Sequence, residues 1–313
     1  MAARTVFVTA SVFLAATLGV TATNDQPAWG HLASGNPKPV AHQQAGPALG
    51  GHAAHRIQII AHRGGETATP ESTLPAFANS IAAGVDGIVF DIRLTRDGVP
   101  VVLHDDTLNR TTDCRGPVED QTAAKVRRCN AAAHFPRFGF QHVPTFDEAL
   151  KFITAKSRTM PLLVHAKELR NRDDAQVIMA VMRRYGLADN SRATMIADND
   201  SILYRLRAAG ARRLGLVFHD SDKAEALNGP WKVLYGWDVH LTRADVETAA
   251  KRGKLLIGSQ DHPQSLEELL ALDVPAIAAD DIARTLDRLG RGPSPAAGAV
   301  TFSSPPAGGP QSG

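Results

Sequence analysis

The chain has 313 residues, of which 43% are hydrophobic and 21% charged, enough apolar material to bury a sizeable core and too much for a disordered protein. Its 34 Lys and Arg against 32 Asp and Glu leave a net charge of +2, which excludes a broad electrostatic footprint for nucleic acid or an anionic membrane. Two cysteines, Cys114 and Cys129, exclude a cysteine-rich zinc module and leave room for a single disulfide.

In chain order, residues 1–22 read as a secretory signal peptide. Arg4 supplies the positive start, Thr5 to Val20 an apolar run, and Val20-Thr21-Ala22 the small residues before a cut. The run is too short to span a bilayer comfortably, so a secreted, extracellular protein without a membrane anchor after cleavage is expected; an uncleaved N-terminal anchor is the other reading. Residues 23–55 are rich in Gly, Pro, Gln, Asn and His without apolar periodicity and read as a disordered linker. Its His31, His42, His52 and His55 are too irregularly spaced for a metal-binding tract. The Gly/Pro/Ser/Ala tail at 291–313 follows the same logic, which leaves one domain at 56–290.

Inside those limits short apolar runs alternate with helical patterns, as in parallel strands joined by crossover helices. Eight runs read as strands: 57–61, 87–91, 161–165, 193–197, 214–218, 236–240, 254–258 and 276–280. Between the first two, Leu74, Phe77, Ala78 and Ile81 mark a helix face, Pro75 fits its first turn and Gly84 its left-handed cap. Thr145 with Glu148, and Ser265 with Glu268, have capping-box spacing. Eight strand–helix units of this size predict an α/β TIM (β/α)8 barrel, with its site at the C-terminal strand ends. A doubly wound open sheet is the alternative, but His62-Arg63-Gly64-Gly65 stands where a glycine-rich dinucleotide loop would be.

His62 and Arg63 place a proton-transfer group beside a phosphate clamp. Asp97-Gly98 reads as a hairpin turn equidistant from Asp91 and His104, so the acid and the imidazole are expected to face each other at the hairpin base. Two histidines and an acid in one mouth suit an in-line displacement, one imidazole taking a proton and the other giving one. A metal on the acid would offset phosphate charge. In the blander reading His104 only bonds Asp105 or the hairpin backbone. Glu71 with Asp91 could suggest a glycosidase pair, against which the two imidazoles and the arginine argue. Trp231 and Trp237 read either as a substrate wall or as packing, and His219, Asp238 and His240 either as mouth residues or as partners of loop backbones.

His62-Arg63-Gly64, Pro70-Glu71-Ser72-Thr73, Gly84-Val85-Asp86, Asp91, Leu94-Thr95-Arg96-Asp97-Gly98, Val101-Val102-Leu103-His104-Asp105 and Leu108-Asn109-Arg110-Thr111-Thr112 together resemble the glycerophosphodiester phosphodiesterase family. Weaker echoes follow at Val143-Pro144-Thr145, Lys167 and Asp280. The resemblance implies a TIM barrel with a divalent cation, usually calcium or magnesium, that hydrolyses glycerophosphodiesters to an alcohol and glycerol 3-phosphate. It implies that His62 and His104 are the acid–base pair, that Asp91 is a metal ligand, that Arg63 holds phosphate, that Lys167 lies beside the substrate and that Glu71 is an acid near the mouth. The expected substrate is a small-molecule phosphodiester or a polyol-phosphate polymer.

Two metal-ligand positions depart from the family pattern, as do Ala197-Asp198, where Ser-Phe is expected, and Ser259-Gln260, where Trp-Thr is expected. Val89 stands where a second metal-binding glutamate belongs, and His165 where a third does. Histidine tilts such a site from calcium or magnesium toward zinc, manganese or no metal at all. The rebuilt metal set is then Asp91, His165 and Glu71, with Glu66 or Asp198 as helpers. A barrel that binds a phosphodiester without turning it over, and a phospholipase D acting on lipid headgroups, are the alternative functions. Cys114 and Cys129 flank a segment of the insertion at about 105–145, and in an exported protein they are expected to form a disulfide that pins this insertion over the mouth.

Overall fold

The structure, a computed structural model, describes residues 56–260 and 262–292. The signal, the linker and the tail beyond Gly292 lie outside the described residues. Strands β1 (Gln58–His62), β2 (Gly87–Leu94), β4 (Leu162–Ala166), β5 (Ala193–Ala197), β6 (Leu214–Phe218), β7 (Val233–Gly236), β8 (Leu255–Ser259) and β9 (Ala276–Ala279) pair in parallel, and β1 bonds both β9 and β2. The sheet therefore closes on itself as the predicted barrel, while β3 (Pro100–Val102) lies antiparallel on β2 as the hairpin arm.

Helices α1 (Leu74–Ala83), α3 (Phe146–Lys156), α4 (Arg172–Arg184), α5 (Asp200–Ala208), α6 (Lys223–Asn228), α7 (Arg243–Lys251) and α8 (Leu266–Leu272) connect the strands, α9 (Ile282–Arg288) follows the last of them, and α2 (Ala123–Val126) belongs to the insertion. The local signals act as expected. Gly84 caps α1 at φ 75°, and both capping boxes close reciprocally at the starts of α3 and α8. Among the described residues no helix is long and apolar enough to cross a membrane.

Strand alternation splits the core into two layers. Phe77, Phe90, Phe146 and Phe218 lie between sheet and helices, while Ile60, Val89, Leu163, Ile196, Tyr235, Ile257 and Ala278 fill the barrel. Two residues further along, the same inward face carries His62, Asp91, His165, Asp198, Trp237, Ser259 and Asp280. The polar mouth is thus the next layer of the barrel's own packing.

Two boundaries differ from expectation. The seventh strand runs over Val233–Gly236 rather than 236–240, because the chain turns at Trp237-Asp238, with Asp238 at φ 52°, and folds Val239 over Gly236. A Cβ on Gly236 would meet that valine at 2.5 Å. The hairpin pairs Leu94 with Pro100 and Arg93 with Val101, and Leu103 donates its N–H to the Asp91 carbonyl at 3.1 Å. Asp91 therefore lies opposite Leu103, not His104. The cause is a three-residue loop, Arg96 to Gly98, with Gly98 left-handed at φ 75°, instead of a symmetric two-residue turn.

The insertion has a small core of Val101, Leu103, Leu108, Val118, Val126 and Val143. It is closed by the predicted Cys114–Cys129 disulfide, with Cα atoms 5.5 Å apart.

Candidate active site

The mouth layer is assembled by register: β1 carries His62 beside Val89 of β2, and β2 carries Asp91 beside His165 of β4. His62 is 5% exposed, and its Nδ1 lies 2.6 Å from Oδ1 of Asp280, at the end of β9. Its ring packs at 4.9 Å from that of Trp237, which stacks in turn on His262 at 4.4 Å. Burial holds the His62 pKa below its ordinary 6.5, against the opposing effect of its hydrogen bond to Asp280. Arg63 follows in the left-handed region at φ 51°, a conformation costly for a side chain with a Cβ. It is held there by backbone bonds to Val89 and Ser72, each 2.8 Å.

His104 has left the hairpin strand and is fixed by its own carbonyl, which accepts from Arg93 Nε at 2.7 Å. Its Nδ1 lies 2.8 Å from Asp105, and its Nε2 faces Lys167 Nζ at 3.5 Å. The blander expectation describes only the first of these contacts. Burial is again the main cause of a lowered pKa, ahead of the opposing charge of Asp91. Both histidines thus have Nδ1 on a carboxylate, which aims the imidazole and leaves the other nitrogen for chemistry. Arg63 and Asp91 act electrostatically on both rings.

Lys167 Nζ is 3.8 Å from Asp91 Oδ1 and Arg63 Nε 3.7 Å from Asp91 Oδ2. Arg63 Nε is buried without a hydrogen-bond partner, an unfilled donor at the centre of the site. Burial opposes ionisation of Asp91, yet the His165 hydrogen bond and the surrounding positive charges hold it far below the usual carboxylate range.

A model of the glycerophosphoryl diester phosphodiesterase family matches residues 62–253. The chain belongs to this family. A glycerophosphodiester phosphodiesterase of Caldanaerobacter subterraneus is 26% identical over 232 residues, 71% of this chain and 93% of that one. YqiK of Bacillus subtilis, described as uncharacterised, is 35% identical over 133 residues, 42% of this chain. The match spans only 55% of that relative's length. The solved structure of an Oleispira antarctica phosphodiesterase, in complex with the product sn-glycerol-3-phosphate, superposes with a TM-score of 0.66 at 20% identity. It covers 74% of this chain and 96% of that one, and at this identity the likeness concerns the barrel.

Glycerophosphoryl diester phosphodiesterases generally depend on a divalent metal, and the metal set expected from the sequence does not form here. Glu71 is committed elsewhere: Arg110 grips it at 2.6 and 2.9 Å and Arg63 at 3.1 Å. These guanidinium groups outweigh burial and lower its pKa. His165 Nδ1 lies 2.9 Å from Asp91 Oδ1 and its Nε2 3.0 Å from Asp198 Oδ2, so both ring nitrogens are engaged by carboxylates. Val89, at the glutamate position, is 3% exposed among the apolar side chains inside the barrel. Among the described residues, the groups of ligand atoms within 4.8 Å of one another are Asp113/Cys114/Cys129 and His62/Glu66/Asp280. Neither contains Asp91, and the two cysteines are disulfide-bonded.

The residues predicted from sequence therefore gather in two neighbouring sets: His62, His104, Arg63, Lys167, Asp91 and His165 in the mouth, and Glu71 in an ion-pair lattice at its side. That lattice borders a cavity of about 300 Å³ lined by Glu66, Glu71, Arg110, His134 and Phe135 among others. Burial and the neighbouring Asp280 push Glu66 up to about 7. Sequence reasoning missed His262 and the orienting role of Asp280. The inward parity of β9 was the available signal for the latter. Trp237 joins the site, whereas Trp231 is 2% exposed and bonds Asp200 at 2.6 Å as packing. His219 and His240 use their backbone N–H groups on Asp222 and Asp220.

Proposed function

We propose that this family member is a secreted phosphodiesterase that hydrolyses water-soluble glycerophosphodiesters, free or in polyol-phosphate polymers, to an alcohol and glycerol 3-phosphate. The observation that carries the reading is the pair of imidazoles, His62 on Asp280 and His104 on Asp105, beside Arg63 and Lys167, with the second nitrogen of His104 facing Lys167 at 3.5 Å. Water oxygen attacks phosphorus and its proton passes to one imidazole; the bond from phosphorus to the leaving oxygen breaks, and the other imidazole protonates that oxygen. Arg63, with its unfilled buried Nε, and Lys167 meet the phosphodiester charge throughout. The cavity beside Glu66 and Glu71 gives one arm of the diester a place to lie. The product named in the Oleispira structure is what this chemistry would leave behind.

The test is release of glycerol 3-phosphate from glycerophosphocholine by the purified protein and by His62→Ala and His104→Ala. Release lost in both variants supports the reading. Preference for micellar phospholipid over the soluble diester would favour a phospholipase D. Product binding without any release would leave a non-catalytic phosphodiester-binding barrel.

A further inference from the structure

The groups around Asp91 do more than fail to make a metal site. A carboxylate oxygen is an acceptor only, and both nitrogens of His165 face one, at 2.9 Å from Asp91 and 3.0 Å from Asp198. A ring in that position donates from both nitrogens and carries a positive charge. Its side chain is 5% exposed, so the charge is fixed in place and poorly screened by solvent. Asp91 is also approached by Lys167 on one oxygen and Arg63 on the other. His165 and Lys167 together offset the two carboxylates Asp91 and Asp198, as a bound dication otherwise would, while Arg63 is shared among Asp91, Glu71 and Glu66.

We propose that His165, clamped between Asp91 and Asp198, takes the place of the divalent cation as a built-in cation, and that Arg63 and Lys167 receive the phosphodiester without a metal. His165 is here a positioning residue, since it acts through Asp91 and need not touch substrate. The apolar packing of Val89 fits the same design: with a cation supplied by the chain, a second inward carboxylate would be buried without a partner. The catalytic half of this inference rests on the proposed hydrolysis; the half concerning metal binding does not.

Manganese is the probe, because the electron paramagnetic resonance signal of the free ion disappears on binding. The full chain is expected to leave the free Mn2+ signal unchanged up to about 1 mM, the weak end of protein sites for hard divalent ions. Hydrolysis is expected to proceed equally in EDTA, magnesium or calcium. His165→Glu should reverse both properties: it should bind Mn2+, lose activity by about tenfold or more in EDTA, and regain it when a divalent ion supplies the missing charge. If that variant does not fold, the wild-type data decide alone. Uptake of one Mn2+ per chain that is abolished by Asp91→Asn overturns the proposal, as does EDTA-sensitive hydrolysis restored by magnesium or calcium. A wild-type protein that neither binds Mn2+ nor hydrolyses the diester under any condition bears out the clamp and overturns the hydrolytic reading instead.

Discussion

The two halves of the barrel end in different kinds of chemistry. Strands β1, β2 and β4, with the hairpin arm β3, deliver His62, Arg63, Asp91, His104, His165 and Lys167; the later strands deliver Asp198, Trp237 and Asp280. The first group can move protons or meet a phosphate. The second holds the first in posture: Asp280 aims His62, Asp198 clamps His165, and Trp237 walls the His62 ring. One fold thus divides labour between reacting groups and the groups that fix their orientation; for His62 and His165 the division runs across the barrel, while His104 is aimed within its own half by Asp105 and Arg93.

The largest expected effect tests the first half. His62→Ala and His104→Ala should each lower kcat by about 10²- to 10⁴-fold, the usual worth of a positioned acid or base, with the fold intact by circular dichroism. On the other side, Asp280→Asn should cost about 10- to 100-fold, as loss of an orienting partner does. A loss as deep as that of His62→Ala would break the division and make His62 and Asp280 one unit.

The pH profile sharpens the same contrast. Burial lowers the pKa of both histidines from 6.5, and the pair works only with the base ring neutral and the acid ring protonated. Activity, read as kcat/KM, should follow a bell, falling on the acid side below 6.5 as the base becomes protonated and on the alkaline side as the acid ring loses its proton. Asp280 raises the His62 pKa, so Asp280→Asn should move that acid limb to lower pH if His62 is the base. An unmoved limb would assign the base to His104. Trp237→Ala should be milder still, raising KM by several-fold while kcat changes less. The smallest effect on turnover belongs to the insertion: Cys114→Ser with Cys129→Ser removes a bridge across 15 residues. It should cost about 3 kcal/mol of stability in denaturant titration by the chain-entropy model.

The architecture was legible because each strand carries its own local pattern and each helix its own cap. Seven of the eight strand runs overlap the observed strands by four residues or more, and the exception had no turn signal stronger than Trp237-Asp238 to mark its end. The hairpin failed by one residue because loop length is set by the αL residue Gly98 and not by symmetry about the turn. In the site, the residue types were readable and their company was not. Glu71 looks like a ligand until Arg110, 39 positions away, is folded against it. His165 looks like a ligand until Asp198, 33 positions on, closes its second nitrogen. Such ion pairs depend on which strand ends become neighbours, and a linear pattern does not record that.

Asp86, just before β2 at the floor of the barrel, accepts from Arg56, from the Ile59 N–H and from Arg291 at 3.1, 2.8 and 2.7 Å. Arg291, which the sequence reading assigned to the tail, is thereby stapled to the barrel, and the first and last described turns of the chain share one carboxylate. The two ends of the domain leave side by side from the pole opposite the mouth. A short peptide joining them, with new ends opened in an exposed connection on the floor, should give a circular permutant with its chemistry intact. For the same reason, a bead or surface attached directly at Arg56 or Arg291 would face the mouth outward.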